Sequence, residues 1–292
     1  TTGGNALGIS ANSGSVGILD LRSITLGSDV TIGTLDRVYV QAGTVTFNGT
    51  NNTNSGFLMF GGTAEIVSMG NLTFASSIGK GSPYVQSGAT LSYTGNTFSS
   101  DKAVSRDGNG TTTINVTTAG QTLDMSGNLT TGTITATGGW AFGGDGNLTL
   151  TGNITNAAST TVTKNGAGTV TLSGTNTYTG ATTVTAGTLA LVGGSQTSPI
   201  TVSSGAALGF TLGSPITSTS TVTFSGATPK VRVSGTPAAA TLMTASGVIG
   251  IPVLDPAIPG FSLVTTPTGL DLVSTAVQGT KADNADALNL TS

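Results

Sequence analysis

The fold of this chain is decided by the segment GAGTVTLSGTNTYTG at residues 166–180, which is followed by ATTVTAGTL at residues 181–189. In an extended chain Val170 and Leu172 point to one side, whereas Thr169, Thr171 and Ser173 point to the other. This alternation, with glycine at each break, is typical of β-strands with one buried face and tight turns between them. The segment therefore predicts a succession of short strands.

The same segment resembles the autotransporter-associated β-strand repeat, also called the passenger-associated transport repeat. The resemblance rests on the pattern G-x-G-T-x-T-L-S-G-x-N-T-Y-T-G and the following T-T-V-x-x-G-T-L. It implies a secreted, elongated, right-handed parallel β-helix, and it extends closely over residues 147–192 and loosely over about 200–274. The residues that carry the motif, with structural roles, are Gly166, Gly168, Leu172, Gly174, Asn176, Tyr178, Gly180, Gly187 and Leu189.

The composition agrees with a strand-rich and weakly charged protein. Glycine accounts for 45 of the 292 residues, and charged residues make up only 7%, against about 25% in an average protein. A disordered chain would be richer in charge and poorer in β-branched residues. Threonine fits the pleated surface of a strand, so we expect Thr, Ser and Asn to occupy the outward positions.

Strand-like units recur from one end of the chain to the other. They include the ranges 42–49, 88–93, 132–136, 147–152 and 221–226. Their irregular spacing favours a solenoid with variable loops, and a dozen or so coils would form a rod of roughly 50–70 Å. The alternative fold is a string of immunoglobulin-like sandwiches, but a single tryptophan in the whole chain counts against it.

Three regions are predicted along the chain. Residues 1–238 form the β-helix, with its repeat core at about 147–192. Residues 239–275, which are richer in proline and in longer apolar runs, form closing strands that cap the solenoid. Residues 276–292 are more polar and form a C-terminal arm or linker. Because the chain begins with Thr1, without a charged and apolar leader, we expect it to be a processed or excised piece.

Several classes of site are excluded by residue type. The chain has no His and no Cys, which removes the usual zinc ligands and the histidine-based catalytic sets. The net charge is −3 and the nine basic residues are scattered, so nucleic acid is not an expected partner. No cofactor and no metal are predicted, and no apolar run reaches the length of a membrane helix.

A few residues could carry chemistry, although a structural role is favoured for each. The densest acidic cluster is Asp29, Asp36 and Arg37, which would matter in a β-helix that acts on polysaccharides. The segments around Asp107 and Asp145 look like fragments of calcium loops, but they lack further carboxylates and are expected to be tight turns. Trp140 is either part of a sugar-stacking platform or, as favoured here, a core or corner ring.

The leading functional hypothesis is a non-enzymatic, extracellular structural protein of a bacterial cell surface. Copies of the chain would associate head to tail, with the terminal coil or the arm at 276–292 completing the next subunit. The resemblance equally allows a passenger-type adhesin that binds a host or cell-surface ligand, and other surface components are possible partners. A β-helix enzyme acting on polysaccharides is a minor alternative.

Overall fold

The structure is a computed structural model that describes residues 7–9, 18–26, 30–32, 37–48, 56–71, 81–86, 88–131, 138–155 and 159–275. In these ranges every regular element is a β-strand and none is a helix. The strands form parallel sheets that stack into a β-solenoid of about eight turns. The predicted all-β, parallel β-helical fold is confirmed.

The strands are numbered in chain order. The first eleven are β1 (Leu7–Ile9), β2 (Ile18–Leu26), β3 (Val30–Ile32), β4 (Arg37–Phe47), β5 (Phe57–Met59), β6 (Thr63–Ile66), β7 (Pro83–Gln86), β8 (Thr90–Tyr93), β9 (Phe98–Ser100), β10 (Val104–Asp107) and β11 (Thr111–Val116). The next ten are β12 (Thr122–Met125), β13 (Leu129–Thr131), β14 (Gly138–Gly143), β15 (Asn147–Leu150), β16 (Ile154–Thr155), β17 (Thr160–Lys164), β18 (Thr169–Leu172), β19 (Thr182–Val184), β20 (Thr188–Leu191) and β21 (Ser195–Gln196). The last ten are β22 (Ile200–Val202), β23 (Ala207–Thr211), β24 (Ile216–Ser218), β25 (Thr221–Phe224), β26 (Lys230–Ser234), β27 (Ala240–Thr244), β28 (Gly247–Ile249), β29 (Val253–Leu254), β30 (Phe261–Thr266) and β31 (Gly269–Ser274).

Each complete coil contributes one strand to each of three stacks. The first stack runs through β5, β7, β10, β13 and β16, the second from β6 and β8 through β11 to β28, and the third from β9 through β12 to β29. The long strand β4 joins the first two stacks, because its first half pairs with β5 and its second half with β6. Beyond β16 the first stack passes through Thr177 and Tyr178 towards β21, β24 and β27.

The interior is a continuous apolar column built by register. In the third stack, Leu148, Val170, Leu189, Leu208 and Val231 are successive in-register partners, and all five are buried. Their neighbours along each strand face outwards, so the alternation of the sequence becomes the division between core and surface. Parallel strands stacked in this way allow the core to lengthen with every added coil.

The number of coils is smaller than the sequence suggested. A dozen or so were expected, whereas the structure has about eight turns, which corresponds to about 40 Å of stacked strands. The reason is that one strand-like unit of the sequence forms one face of a coil, and three faces are needed to complete a turn. The predicted units at 42–49, 88–93, 147–152 and 221–226 coincide with β4, β8, β15 and β25, and the unit at 132–136 lies outside the described residues.

The corners of successive coils lie in direct backbone contact. A Cβ atom on Gly152 would lie 2.3 Å from the carbonyl oxygen of Gly127, and one on Gly174 would lie 2.4 Å from that of Gly152. At Gly168 the distance to the carbonyl oxygen of Gly146 would be 1.8 Å. A side chain at these positions would force the coils apart, which explains why glycine recurs at the breaks between strands.

Asparagine side chains link the outside of the corners. The backbone N–H of Asn153 donates to Oδ1 of Asn128 at 2.9 Å, and the N–H of Thr175 donates to Oδ1 of Asn153 at 2.8 Å. The N–H of Thr169 donates in the same way to Oδ1 of Asn147 at 2.9 Å. These bonds satisfy backbone N–H groups at a corner or, for Thr169, at the start of a strand.

The three stacks end differently after residue 239. Strand β27 pairs with β24 in parallel and with β31 in antiparallel orientation, and β31 forms a hairpin with β30. Strands β28 and β29 are the last members of their stacks in the described part of the chain. The predicted boundary near residue 238 stays a prediction, and the predicted arm at 276–292 lies outside the described residues.

We expect Gly168→Ala to lower the free energy of unfolding by about 2–4 kcal/mol, because the new methyl group overlaps the backbone of the preceding coil. The matched control is Gly247→Ala, where the nearest atom to the added Cβ would be Oγ1 of Thr221 at 3.4 Å. That variant should stay within about 0.5 kcal/mol of the wild type. Urea unfolding followed by circular dichroism measures both, and equal effects of the two variants would contradict the stacking argument.

Candidate functional site: the repeat segment, the buried cations and the solenoid surface

The predicted motif residues all lie on the winding from β17 to β20. The glycines lie at the breaks between strands: Gly166 and Gly168 between β17 and β18, Gly174 after β18, Gly180 before β19, and Gly187 before β20. Leu172 is the last residue of β18, and Leu189 lies in β20. Asn176 and Tyr178 lie in the segment that connects β18 to β19. Both leucines, Asn176 and Tyr178 are buried. The motif therefore consists of corner residues, of core residues, and of the segment between β18 and β19, which forms one face of the coil without a strand.

Gly187 shows why the repeat needs its glycines in register. Its φ of 64° lies in the left-handed region, and an added Cβ would lie 2.4 Å from the carbonyl oxygen of Gly166 and 2.5 Å from that of Gly168. Both the backbone conformation and the space therefore require glycine. The corner at Gly187 packs directly against the corner at Gly166 and Gly168 in the preceding coil.

Asn176 and Tyr178 replace a strand of the first stack with side-chain hydrogen bonds. Oδ1 of Asn176 accepts from the N–H of Ile154 at 3.0 Å. The hydroxyl of Tyr178 lies 2.9 Å from that of Thr182, which lies 2.8 Å from that of Ser198. Burial raises the pKa of Tyr178, so this hydroxyl stays protonated and available to donate.

Lys164 lies in the interior, although the sequence placed it among scattered basic residues. Lys164 follows Val162 by two residues on β17, so their side chains point to the same side of the strand, and both are buried. Its Nζ donates to the carbonyl oxygens of Gly166 and, at 3.3 Å, of Ala186. The lysine thus connects the corners of two successive coils from inside the solenoid. Its spacing of two residues from Val162 is the feature of the sequence that could have predicted its burial.

Two further cations are buried in the same manner. Nζ of Lys102 donates to the carbonyl oxygen of Gly81 at 3.1 Å. Arg106 donates through Nη1 to the carbonyl oxygens of Gly108 and Gly110 at 3.3 and 3.2 Å. Burial lowers the pKa of Lys102 and of Lys164 to about 8, and Asp101 partly opposes the decrease at Lys102.

The other candidate residues of the sequence have structural positions where they are described. Asp107 accepts from the hydroxyl of Tyr84 at 2.9 Å and from the N–H of Gly108 at 2.7 Å, in a tight turn. Trp140 is fully buried, which confirms a core ring and excludes an exposed stacking platform. Asp29 and Asp36 lie outside the described residues, as does the side chain of Arg37. Within the described ranges no group of three or more metal-ligating residues is present.

The outer face of the third stack carries a cleft of about 400 Å³. The bottom of the cleft is lined by Ala190, Gly209 and Arg232, which are in-register partners on the neighbouring strands β20, β23 and β26. Nη1 of Arg232 donates to Oγ1 of Thr188 at 2.9 Å, and Nη2 lies 3.3 Å from Oδ2 of Asp255. A hydrogen bond from Lys230, together with Arg232, holds the pKa of Asp255 below its ordinary value.

The last coil exposes a group of aliphatic side chains, here called the terminal apolar patch. It consists of Ile249, Ile251 and Val253, whose side chains are 58%, 83% and 50% exposed. They lie on β28, on β29 and on the corner between them, beside the two strands that end their stacks. The other exposed large apolar side chains of the described residues, Phe60 and Val264, are less exposed than these three.

Comparison with known proteins confirms the resemblance found in the sequence. The family model for the Passenger-associated-transport-repeat matches residues 162–191, which include every motif residue. No curated protein and no solved structure matches the chain. The repeat and the β-solenoid together fit an autotransporter passenger-like protein, and the repeat indicates a surface or secreted passenger domain. None of the described residues belongs to a helix that could cross a membrane.

We expect the stability of the protein to rise with pH between about 8 and 9.5, and Lys164→Met to reduce this rise. Because the folded-state pKa of Lys164 lies below the ordinary value of 10.5, the unfolded chain binds more protons in this window, which favours folding as pH increases. One lysine contributes at most about 1.4 kcal/mol per pH unit. Chemical unfolding at several pH values measures the slope.

The control for this experiment is Lys230→Met, which removes a partly exposed lysine and should keep the wild-type slope. Measurements stop below about pH 10, where the raised pKa values of Tyr84 and Tyr178 begin to oppose the trend. An unchanged slope in Lys164→Met would show that the amine of Lys164 is solvated in the folded protein.

Proposed function

We propose that this chain is a structural, non-catalytic β-solenoid of the bacterial cell surface, and that copies of it associate head to tail into a fibre or layer. The fold supports a structural role, because its interior is a largely apolar column in which the described residues include no group of three or more metal-ligating side chains. The repeat family supports the extracellular location.

The surface composition supports close contact between copies. Only 7% of the residues are charged, and the net charge is −3, so mutual repulsion is weak. The outward positions of the strands are largely threonine, as in the series Thr149, Thr171 on β15 and β18. Hydroxyl groups of this kind tolerate packing against another protein surface better than an array of lysine and glutamate side chains.

The observation that carries the proposal is the outer edge of β29 in the last described coil. Strand β29 has one paired neighbour, β26, among the described residues, so its other edge presents backbone groups for another strand, whereas on β28 the N–H of Val248 already donates to the carbonyl oxygen of Pro267. The terminal apolar patch lies beside this edge and supplies apolar area that a partner would bury. The matching partner is the first coil of a second copy, where β2 pairs only with β4 among the described strands.

Head-to-tail association of this kind adds subunits without forming a closed ring. The two ends of a solenoid are different surfaces, so a contact between them is heterologous and repeats by translation along the axis. The expected product is a linear fibre whose subunits share one direction.

The double variant Ile249→Lys/Ile251→Lys tests the proposal. Two lysines at the terminal apolar patch would be buried without partners in the contact, so we expect the variant to remain monomeric at concentrations where the wild type forms fibres. Negative-stain electron microscopy and sedimentation velocity measure assembly, and circular dichroism checks that the fold is retained.

The matched control is Thr149→Lys, which adds a lysine at an outward position in mid-solenoid, beside Asp124. It should assemble like the wild type. A wild type that remains monomeric, or a double variant that assembles equally well, would overturn the proposal. Deletion of residues 276–292 distinguishes the arm from the coil: assembly that survives the deletion rules the arm out as the joining element.

The cleft on the third stack favours a second candidate function, that of a passenger-type adhesin. Its volume of about 400 Å³ is within the range of ligand pockets, and its hydroxyl groups and the half-exposed guanidinium of Arg232 suit an acidic glycan. Such a ligand would offer hydroxyl groups to Thr169 and Thr188 and a carboxylate to Arg232.

For this candidate we expect Arg232→Gln to weaken binding to an acidic glycan by about tenfold or more, since a charge-assisted hydrogen bond is lost. Lys230→Gln is the control, because Lys230 also contacts Asp255, at 3.1 Å, but does not line the cleft. Binding to immobilised acidic glycans measures the effect. Equal losses in both variants would indicate nonspecific charge attraction and exclude the cleft as the site.

A further inference from the structure

Arg106 is a buried cation whose fixed hydrogen-bond partners are all neutral. Its side chain is fully buried, with Nη1 on the carbonyl oxygens of Gly108 and Gly110 and Nη2 at 3.3 Å from Oγ1 of Thr160. The neighbouring carboxylate, Asp107, is directed to Tyr84 and to the N–H of Gly108. Burial lowers the pKa of Arg106, and Asp107 only partly opposes this decrease.

Two other polar groups lie beside this guanidinium. The central carbon of the Arg106 guanidinium lies 5.8 Å from the centre of the Trp140 ring, which is also fully buried. Thr131 is the in-register partner of Arg106 on the next coil. Arg106 and Thr131 lie on β10 and β13 of the first stack, and Trp140 lies on β14 of the second stack.

Each of the three residues has a buried polar atom without a partner. Within the described structure, Nε of Arg106, Nε1 of Trp140 and Oγ1 of Thr131 make no hydrogen bond. The first two are donors only, and the hydroxyl of threonine can also donate. A buried donor without an acceptor costs about 1–3 kcal/mol, and three such groups beside a guanidinium whose hydrogen-bond partners are all neutral favour an acceptor that carries negative charge.

We propose that Arg106, Trp140 and Thr131 form an internal binding site for a small monovalent anion of the size of chloride. Such an anion accepts from all three groups and supplies the counter-charge that the guanidinium lacks. The placement of the guanidinium over the Trp140 ring and the register of Arg106 with Thr131 bring the three residues next to one another, so one small ion could contact all three. Water meets this arrangement less well, because it brings no charge and must place two hydrogens of its own.

The single tryptophan of the chain makes the site directly observable. The indole N–H of Trp140 gives one signal in a ¹H–¹⁵N spectrum, and an anion bound to it shifts that signal. Because the site is enclosed, the protein is refolded from urea in sodium chloride or in sodium gluconate, a bulky anion, at equal ionic strength. We expect a saturable shift of the indole signal with chloride and none with gluconate, together with a melting temperature a few degrees higher in chloride.

Two variants and a control keep the proposal falsifiable. Arg106→Gln retains an amide for the corner carbonyl oxygens but removes the charge, and it should weaken chloride binding by about tenfold or more. Trp140→Phe retains the ring but removes the N–H, and it should lose most of the chloride-dependent shift in melting temperature. Lys164→Met removes another buried cation and should keep the full response.

Bromide supplies an independent measurement through its anomalous scattering. In crystals of protein refolded with bromide, an anomalous peak is expected within hydrogen-bond distance of Nε of Arg106 and Nε1 of Trp140. An indole signal that does not respond to chloride would mean that water occupies the site and would overturn the proposal. An equal response in the wild type and in Arg106→Gln would reduce the effect to general salt dependence and overturn it as well.

Discussion

The structure depends on one constraint, which is that the corners of successive coils must approach as closely as the strands do. The strand ladders hold neighbouring coils about 4.8 Å apart, and this spacing persists only if the connecting corners fit within it. At Gly152, Gly168 and Gly174 the carbonyl oxygen of the coil below occupies the space that a Cβ would need. Glycine at these corners is therefore required by the stacking, and the alternation of apolar and hydroxylated residues between the corners can then build one continuous core.

The corners also explain how the polar groups are distributed. Backbone groups at a bend lie outside the ladders and still need partners. On the outside, the amide oxygens of Asn128 and Asn153 accept from corner N–H groups of the next coil. On the inside, Lys164 donates to the carbonyl oxygens of Gly166 and Ala186 on successive coils. Asparagine and the buried cations are thus complementary, since one satisfies the donors and the other the acceptors of the same type of bend.

Much of the fold could be predicted from the sequence, because the information is local. Val170 and Leu172 alternate with threonine, and glycine stands at each break. This pattern is enough to predict a solenoid whose strands each have one buried face. The burial of Lys164 and Arg106 could not be predicted from residue type, because charge normally indicates solvent, and only the position in the strand reveals the inward direction. The number of coils was overestimated because the sequence does not state how many strands complete a turn. The proximity of Arg106 to Trp140 and Thr131 depends on contacts between successive coils and between two faces of the solenoid, which no local pattern encodes.

The asymmetry of the last coil follows from the direction of its strands. Strand β31 runs antiparallel to β27, so it ends that stack with an orientation that a further parallel coil cannot continue. The N–H of Val248 donates to the carbonyl oxygen of Pro267 in the hairpin turn, which fixes the hairpin against the start of β28. Strands β28 and β29, in contrast, keep the parallel direction of the coils below them. An added coil would therefore find one continuing edge, that of β29, beside a hairpin that ends the β27 stack and occupies the N–H of Val248 on β28. The hairpin that obstructs stacking on two faces would thus restrict how a further coil can be placed on the third.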